Sequence, residues 1–451
     1  MTRWLDAALD YLPQWLEYQL RQTGQPGVAL AVAERGSVVL DTAFGAADLA
    51  TGERMTRRHL FHVASHSKTF TAAGVMRLVE RRKLRLDAPV GALVDGLHRE
   101  VAKTTLRQLL SHGAGIVRDG VDSSQWELMR PFLSTRELRA DLRRAPTLKA
   151  DVRFKYSNHA FGLVGLALEA ATGVAYEKWI RDEVIAPAGL AHTLPDWRAD
   201  ARLCNGHGRR DARGRRGTMG RDVATHALAS ATGFIATASD LVRFFAQIDP
   251  SAHTSFLSPA SRRAMTRATR SIPGVPAGRE YGLGVIRGGT GAAAWFGHSG
   301  GFPGYLTRTS VVPKLGVTVA ILTNSIDSPV QLWADGAIAM LAAFAKRGAP
   351  TRGVRAWSGR WRSSWNTCDL VPIGDRVLVA APALAQPFLG ASELTVRGDR
   401  GWISEADGFA TYGEPVRLER SRGGRPVRLK LGGGRFVSEA VPRSTSRGRK
   451  R

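Results

Sequence analysis

The segment Phe61-His62-Val63-Ala64-Ser65-His66-Ser67-Lys68-Thr69-Phe70-Thr71-Ala72 joins a short extended run, Phe61–Ala64, to a strong helical pattern that opens at Ser65 and continues to about Arg82. Phe70, Ala73, Val75, Met76 and Val79 are among its apolar positions. In that register a serine in the first turn and a lysine three residues on share one helix face. A helix N-terminus carries partial positive charge, which favours a developing oxyanion. A lysine that is desolvated or close to other positive charge can act as base toward a neighbouring hydroxyl. Ser-x-x-Lys also arises from a serine cap followed by a surface lysine, so the pattern gains meaning only from its company.

Upstream, a helix is expected from Trp4 to about Arg21. It is followed by two strand-like runs, Val28–Ala33 and Val38–Ala43, split by Glu34-Arg35-Gly36-Ser37 as a hairpin turn. Downstream, helices fit Leu106–Ser111, Thr135–Arg144, Asn158–Thr172 with Gly173 as its stop, Tyr176–Ile185, and Ser239–Gln247 led by a Ser-Asp cap. From Tyr281 the period changes. Gly282–Ile286, Trp295–His298, Tyr305–Val312 and Val317–Leu322 read as strands, and Pro329–Ala345 as a long helix. Strands on both sides of a helical block predict one antiparallel sheet assembled from both ends of a domain, 1–349, with a mostly helical insertion.

After Gly348-Ala349-Pro350 the composition shifts. Short β-rich runs follow at Arg360–Ser364, Asp369–Ile373, Val377–Ala381, Glu393–Arg397, Trp402–Glu405, Val416–Arg420, Val427–Leu431 and Arg435–Glu439. Turn residues recur every 8–12 positions, which predicts a small antiparallel barrel or sandwich over 356–442. Trp357, Trp361 and Trp365 are expected to begin its core. Residues 443–451 hold no apolar anchor and are expected to form a basic disordered tail. The fold class is thus α+β, a sheet flanked by helices, plus a small all-β domain.

Two further constellations bear on chemistry. Tyr156-Ser157-Asn158 precedes an apolar helix; a tyrosine at an electropositive site loses its proton more readily, and an asparagine amide can donate to a substrate carbonyl and accept from a lysine. The same residues also fit an asparagine helix cap with a packed tyrosine. Gly297-His298-Ser299-Gly300-Gly301 follows the strand at Trp295–Phe296; its glycines permit close backbone approach by a ligand, or simply form a turn. His112 and His66 read as packing or hydrogen-bonding residues, His66 with the alternative of lining the mouth of a site.

Ser-x-x-Lys, then Tyr-x-Asn about 90 residues later, then His-x-Gly about 140 further on, form an ordered triple. With the flanks Leu106-Arg107-Gln108-Leu109-Leu110-Ser111-His112 and Gly297-His298-Ser299-Gly300-Gly301-Phe302-Pro303-Gly304, the chain resembles the serine β-lactamase and penicillin-binding-protein superfamily, on the class C β-lactamase-like branch that includes esterases and D-aminopeptidases. The resemblance covers roughly residues 10–345, and the β-rich segment resembles, more loosely, the barrel appended in D-aminopeptidase-type members. It implies Ser65 as nucleophile, Lys68 and Tyr156 sharing the base role, and Asn158 positioning the substrate amide. It also implies a substrate-binding strand at His298, Ser299, Gly300 and Gly301, with an oxyanion hole from the N–H groups of Ser65 and Gly301. His298 stands where many relatives carry lysine. An imidazole is only partly charged near neutrality, which argues against strong recognition of a β-lactam carboxylate. The expected function is a serine hydrolase of small esters, amides or D-amino-acid peptides. β-Lactamase or DD-peptidase activity, and a non-catalytic peptide- or partner-binding module, are the alternatives.

Composition frames these readings. The chain has 451 residues, 43% apolar and 23% charged, which excludes wholesale disorder, collagen and coiled coil. No uninterrupted apolar run is long enough for a membrane span. Asp6, Asp10 and Glu17 break up the N-terminal segment, so no secretory signal is read and a cytoplasmic location is expected. Basic residues outnumber acidic ones 64 to 39, a net charge of +25. Such a balance favours acidic partners. However, the clusters Arg209–Arg216 and Arg443–Arg451 lack interleaved aromatics, so no specific nucleic-acid site is expected, and the first is read as an exposed excursion. Cys204 and Cys368 imply neither a disulfide framework nor a zinc site, and the histidines lack ligand spacing; no metal or cofactor is expected.

Overall fold

A computed structural model describes residues 3–199, 201–275, 278–405 and 410–439, so the expected tail at 443–451 lies outside the described residues. The chain divides into two compact units: one spans Gln25–Gln331, and the other joins the chain up to Gly24, including helix α1 (Arg3–Thr23), to the chain from Leu332 onward.

The larger unit begins with the expected hairpin, β1 (Gly27–Glu34) and β2 (Ser37–Gly45). Arg35 and Gly36 both take positive φ, 47° and 89°, the left-handed pair that matches the twist of a two-residue hairpin. β3 (Phe61–His62), one 3₁₀ turn at Ala64–His66 and α2 (Ser67–Glu80) follow. The helical block continues with α3 (Arg99–Ala102), α4 (Leu106–Leu110), α5 (Thr135–Leu142), α6 (Asn158–Thr172) and α7 (Tyr176–Ile180), the last running into a π turn at Arg181–Ile185. Short strands β4 (Thr193–Leu194), β5 (Gly206–Arg210), β6 (Arg216–Gly220) and β7 (Ile235–Ala236) lead to α8 (Ala238–Ile248) and α9 (Pro259–Thr266). The chain then returns to the sheet as β8 (Arg270–Ser271), β9 (Glu280–Tyr281), β10 (Ile286–Gly288), β11 (Trp295–Phe302), β12 (Tyr305–Val312) and β13 (Val317–Thr323).

The main sheet has the order β2-β1-β13-β12-β11-β10-β9-β8, so β1 pairs antiparallel with β13 and the two ends of the unit close one sheet around the helical block. α8 packs on β1, β12 and β13. Several local expectations are corrected. The cap of α8 is Thr237, whose hydroxyl accepts from the Asp240 N–H; the Asp240 carboxylate accepts instead from His192 and Thr193. Of the expected strand Gly282–Ile286 only Ile286 joins β10, and Gly282–Val285 is a turn between β9 and β10, because the Gly284 backbone sits at φ 69° against the Lys68 carbonyl. The Arg209–Arg216 stretch is largely exposed but ordered as the β5–β6 hairpin.

The second unit holds α1, most of α10 (Val330–Arg347), the short α11 (Arg352–Arg355), and eight strands. These are β14 (Gly359–Arg362), β15 (Thr367–Ile373), β16 (Arg376–Ala380), β17 (Ser392–Arg397), β18 (Arg400–Glu405), β19 (Pro415–Arg420), β20 (Pro426–Leu431) and β21 (Gly434–Glu439). They form a closed barrel in chain order, with β14 pairing back to β21. Closure removes the exposed edges that a sandwich would leave. Trp361, Leu370, Val377, Leu394, Ile403, Leu418 and Leu429 are in its core. Trp357 and Trp361 are buried there, whereas Trp365 lies in the β14–β15 turn at 95% exposure and contributes nothing to it. Tyr11 of α1 donates to Asp369 at 3.0 Å, and Arg360 pairs with the same buried carboxylate at 2.7 and 2.9 Å. Both cysteines are free and buried. Among the described residues no single helix is long and apolar enough to cross a membrane; α6 with the segment to Ile185 passes by length and composition only as a pair bent by 81°.

Candidate active site

The helical pattern opens at Ser65, but regular α-helix begins at Ser67, and Ser65 lies in the preceding 3₁₀ turn. Ala64 takes φ 47°, a left-handed conformation uncommon outside glycine. The Ser67 hydroxyl fastens this turn by donating to the Ala64 carbonyl at 2.5 Å and accepting from the Phe234 N–H at 3.0 Å. The N–H of Ser65 belongs to the first turn, where backbone donors have no intrahelical acceptor.

Ser65, Lys68, Tyr156 and Asn158 converge. Tyr156 donates to Ser65 Oγ at 2.7 Å, and Lys68 Nζ lies 3.1 Å from the same oxygen. Lys68 Nζ also lies 2.7 Å from Asn158 Oδ1 and 2.8 Å from the Ala231 carbonyl. Asn158 Nδ2 donates to Asp119 at 2.6 Å, which settles its amide orientation. Ser157 caps α6 by accepting from the Ala160 N–H, so Asn158 is left free to serve Lys68.

Lys68 is fully buried, and burial holds its ammonium pKa well below the ordinary lysine range; Asp119 opposes that trend and Arg118 adds to it. As a neutral amine Lys68 has two N–H groups and one lone pair. Two of its three neighbours, Asn158 Oδ1 and Ala231 O, can only accept. They therefore take both N–H groups and leave the lone pair facing the Ser65 hydroxyl. Tyr156 behaves oppositely to the sequence expectation. Burial raises its pKa, outweighing the Ser65 hydrogen bond and Arg118, so the phenol stays protonated and serves as donor.

The Gly297–Gly301 motif is interior strand, not a turn after a strand: all five residues lie within β11. A side chain at Gly297 would collide with the Thr309 carbonyl, and one at Gly300 with the Val63 carbonyl. These two glycines let β11 approach β12 and the segment before Ser65. Phe302 pairs with Tyr305 across the two-residue turn Pro303-Gly304, and Gly300 with Thr307. Alternation of ladder bonds then aims the Gly301 N–H away from β12, toward the opposite edge. Gly301 and Ser65 line the same cleft.

His298 does not offer a cation. Its Nδ1 donates to the Ser299 carbonyl at 2.7 Å, and its Nε2 accepts from the Tyr281 hydroxyl at 2.9 Å. Burial first, then His66 and Lys68, hold its pKa well below 6.5, so the ring is neutral at physiological pH. His66 is wholly buried between the Val63 carbonyl and Thr309, at 2.8 and 3.0 Å, and does not line the mouth. His112 accepts from the Ser157 N–H at 3.2 Å and lies 4.2 Å from the Tyr156 ring centre, a supporting position.

The cleft, about 340 Å³, is lined by Ser65, Arg118, Trp126, Tyr156, Asn158, Ile286, His298, Ser299 and Gly301. Gly300 is packed behind it, and Lys68 lies beneath Ser65. One wall comes from the Arg118–Trp126 loop, which supplies both its terminal residues. The other wall comes from Ile286 of β10, and no described residue of Arg270–Glu280 lines the cleft. Asp119, Ala231 and Ile286 were not singled out by sequence reasoning, because no local pattern links them to the motifs; they arrive through chain crossings.

This arrangement has counterparts. The Beta-lactamase family profile matches residues 7–342. Penicillin-binding protein 4 of Amycolatopsis lactamdurans is 29% identical over 324 residues, 66% of this chain and 81% of that protein. The octameric penicillin-binding protein homologue from Pyrococcus abyssi superposes with a TM-score of 0.67 at 22% identity, covering 95% of this chain and 99% of that one. D-amino acid amidase from Ochrobactrum anthropi SV3 superposes with a TM-score of 0.64 at 21% identity, covering 76% and 100%. A profile match over most of the chain, with a two-part fold shared along nearly its whole length, makes this protein a member of the β-lactamase family of serine hydrolases.

Proposed function

We propose that the protein forms an acyl-enzyme at Ser65 and hydrolyses small esters, amides or D-amino-acid-containing peptides. The observation that carries this reading is the Ser65 hydroxyl held 2.7 Å from a protonated Tyr156 and 3.1 Å from a desolvated Lys68 amine. As Ser65 Oγ attacks the substrate carbonyl, its proton passes to Lys68. The carbonyl oxygen gains charge between the N–H groups of Ser65 and Gly301, a pair of donors of the kind that lowers a barrier by about 3–4 kcal/mol each. On collapse, Tyr156 gives its proton to the leaving group and is reprotonated from Lys68, so no free phenolate accumulates. Water then attacks the acyl carbon, loses its proton to the same relay and restores Ser65.

The neutral, hydrogen-bonded His298 supports substrates without a carboxylate at the β11 edge over β-lactams. β-Lactamase or DD-peptidase activity is the second reading, favoured by the likeness to Penicillin-binding protein 4. A panel of nitrophenyl esters, D-aminoacyl amides and nitrocefin, run on the parent and on Ser65→Ala, separates the two. Fluorophosphonate labelling mapped by mass spectrometry locates the nucleophile. Label on Ser65, with activity abolished in the variant, is the expected result. Undiminished turnover of every substrate by Ser65→Ala would exclude the reading, and absence of any adduct would favour a non-catalytic binding module.

A further inference from the structure

The barrel carries a feature that the sequence scatters over five strands. Leu394, Val396, Ile403, Val416, Leu418, Leu429, Leu431 and Phe436 face or pack on its interior. Strand alternation sends the residues between them outward. The pairing register then places Arg397 opposite Arg400, Arg400 opposite Arg417, Arg417 opposite Lys430, and Lys430 opposite Arg435. All five are exposed. Neighbouring strands lie 4.7–4.9 Å apart, so the row runs for about 19 Å. Like charges directly opposite one another destabilise a sheet. Among the described residues, only Lys430 of the five has an ion-pair partner, Glu419 at 2.9 Å. Two residues from Arg400 on the same outward face stands Trp402, 49% exposed and paired in register with Thr395 and Pro415.

We propose that this face of the barrel binds single-stranded nucleic acid without sequence preference, with backbone phosphates along the Arg397–Arg400–Arg417–Lys430–Arg435 row and a base stacked on Trp402. The row follows the hydrogen-bonding direction across five of the eight strands of a closed barrel, so it bends around a convex surface. A flat anionic membrane reaches only part of such a row, whereas a flexible polyanion follows it. An exposed indole beside the cations offers a π-face to a base, which polyphosphate leaves unused. The chain's net charge of +25 adds long-range attraction for any polyanion.

The test is fluorescence anisotropy of the full chain with a labelled oligo(dT) of about 20 nucleotides, titrated between about 50 and 200 mM salt. Five phosphate contacts give a log–log salt slope of about −3.5, and the triple variant R400Q/R417Q/R435Q reduces its magnitude to about 1.4. That variant is expected to bind at least about tenfold more weakly, and its charge-preserving counterpart R400K/R417K/R435K as the parent does. Trp402→Ala is expected to weaken oligo(dT) binding about tenfold while leaving inorganic polyphosphate binding unchanged. Unaltered thermal melting and ester hydrolysis confirm that each variant is folded. The proposal is overturned if the parent fails to bind at the lower salt, if R400Q/R417Q/R435Q binds as the parent does, or if Trp402→Ala keeps full affinity. Row-dependent binding to phosphatidylserine vesicles in place of the oligonucleotide overturns it in favour of a membrane surface.

Discussion

Replacing Asn158 by Asp puts the proposed role of Lys68 at risk in a measurable way. Asn158 Oδ1 lies 2.7 Å from Lys68 Nζ, so the substitution sets a carboxylate against the amine with almost no change in shape. At that distance and an effective dielectric of about 20, the attraction is about 6 kcal/mol, enough in isolation to raise the lysine pKa by more than four pH units. Asp119 cuts this down. It sits 2.6 Å from the other end of the Asn158 side chain, and two carboxylates at that separation share a proton. A net rise of about two to three pH units is left. The sign is clear: Lys68 is a base only when neutral, and a raised pKa keeps it protonated to higher pH. The variant should therefore lose up to about 100- to 1000-fold in kcat/KM on the acid limb of its profile and recover most of it in alkaline solution. The assay is the pH profile of nitrophenyl ester hydrolysis for parent and variant, with a melting curve to confirm folding. An acid limb that stays in place, or a loss equally deep at every pH, would refute Lys68 as the group that accepts the Ser65 proton.

Gly300→Ala drives a methyl group into the Val63 carbonyl and Thr307 Oγ1, and should cost about 1–3 kcal/mol in thermal unfolding while lowering kcat. Acid should destabilise the Gln25–Gln331 unit. Burial holds His62 and His66 near pKa 4, so the unfolded chain takes up protons first as pH falls below 6.5. Stability is thus fully present above that pH and declines by about 2 kcal/mol per imidazole on reaching pH 5. Asp196, raised to about 6, works in the opposite sense across pH 4–6 and blunts the fall without reversing it. His62→Asn or His66→Asn should flatten the melting-temperature profile. In the barrel unit, Arg360→Ala strands the buried Asp369 carboxylate with only Tyr11 as donor, and should destabilise that unit by about 3–5 kcal/mol in urea unfolding.

The sequence by itself determined what local forces determine. Period-2 runs and Gly or Pro turns located all eight barrel strands to within a few residues. Gly173 at φ 69° ended α6 where a residue without Cβ was needed. The ordered motifs that carry the family resemblance pointed to Ser65, Lys68, Tyr156 and Asn158, side chains that meet within 3.1 Å. Tertiary structure alone decided the protonation states, because these follow from burial and partners that no spacing reveals. Lys68 is deprived of water beneath Ser65, Tyr156 is held protonated rather than ionised, and His298 is kept neutral by burial while accepting from Tyr281, a residue seventeen positions away with no visible link to it. The row from Arg397 to Arg435 has the same origin. Its cations are distant in the chain and become neighbours only when strand register sets them side by side on one outward face.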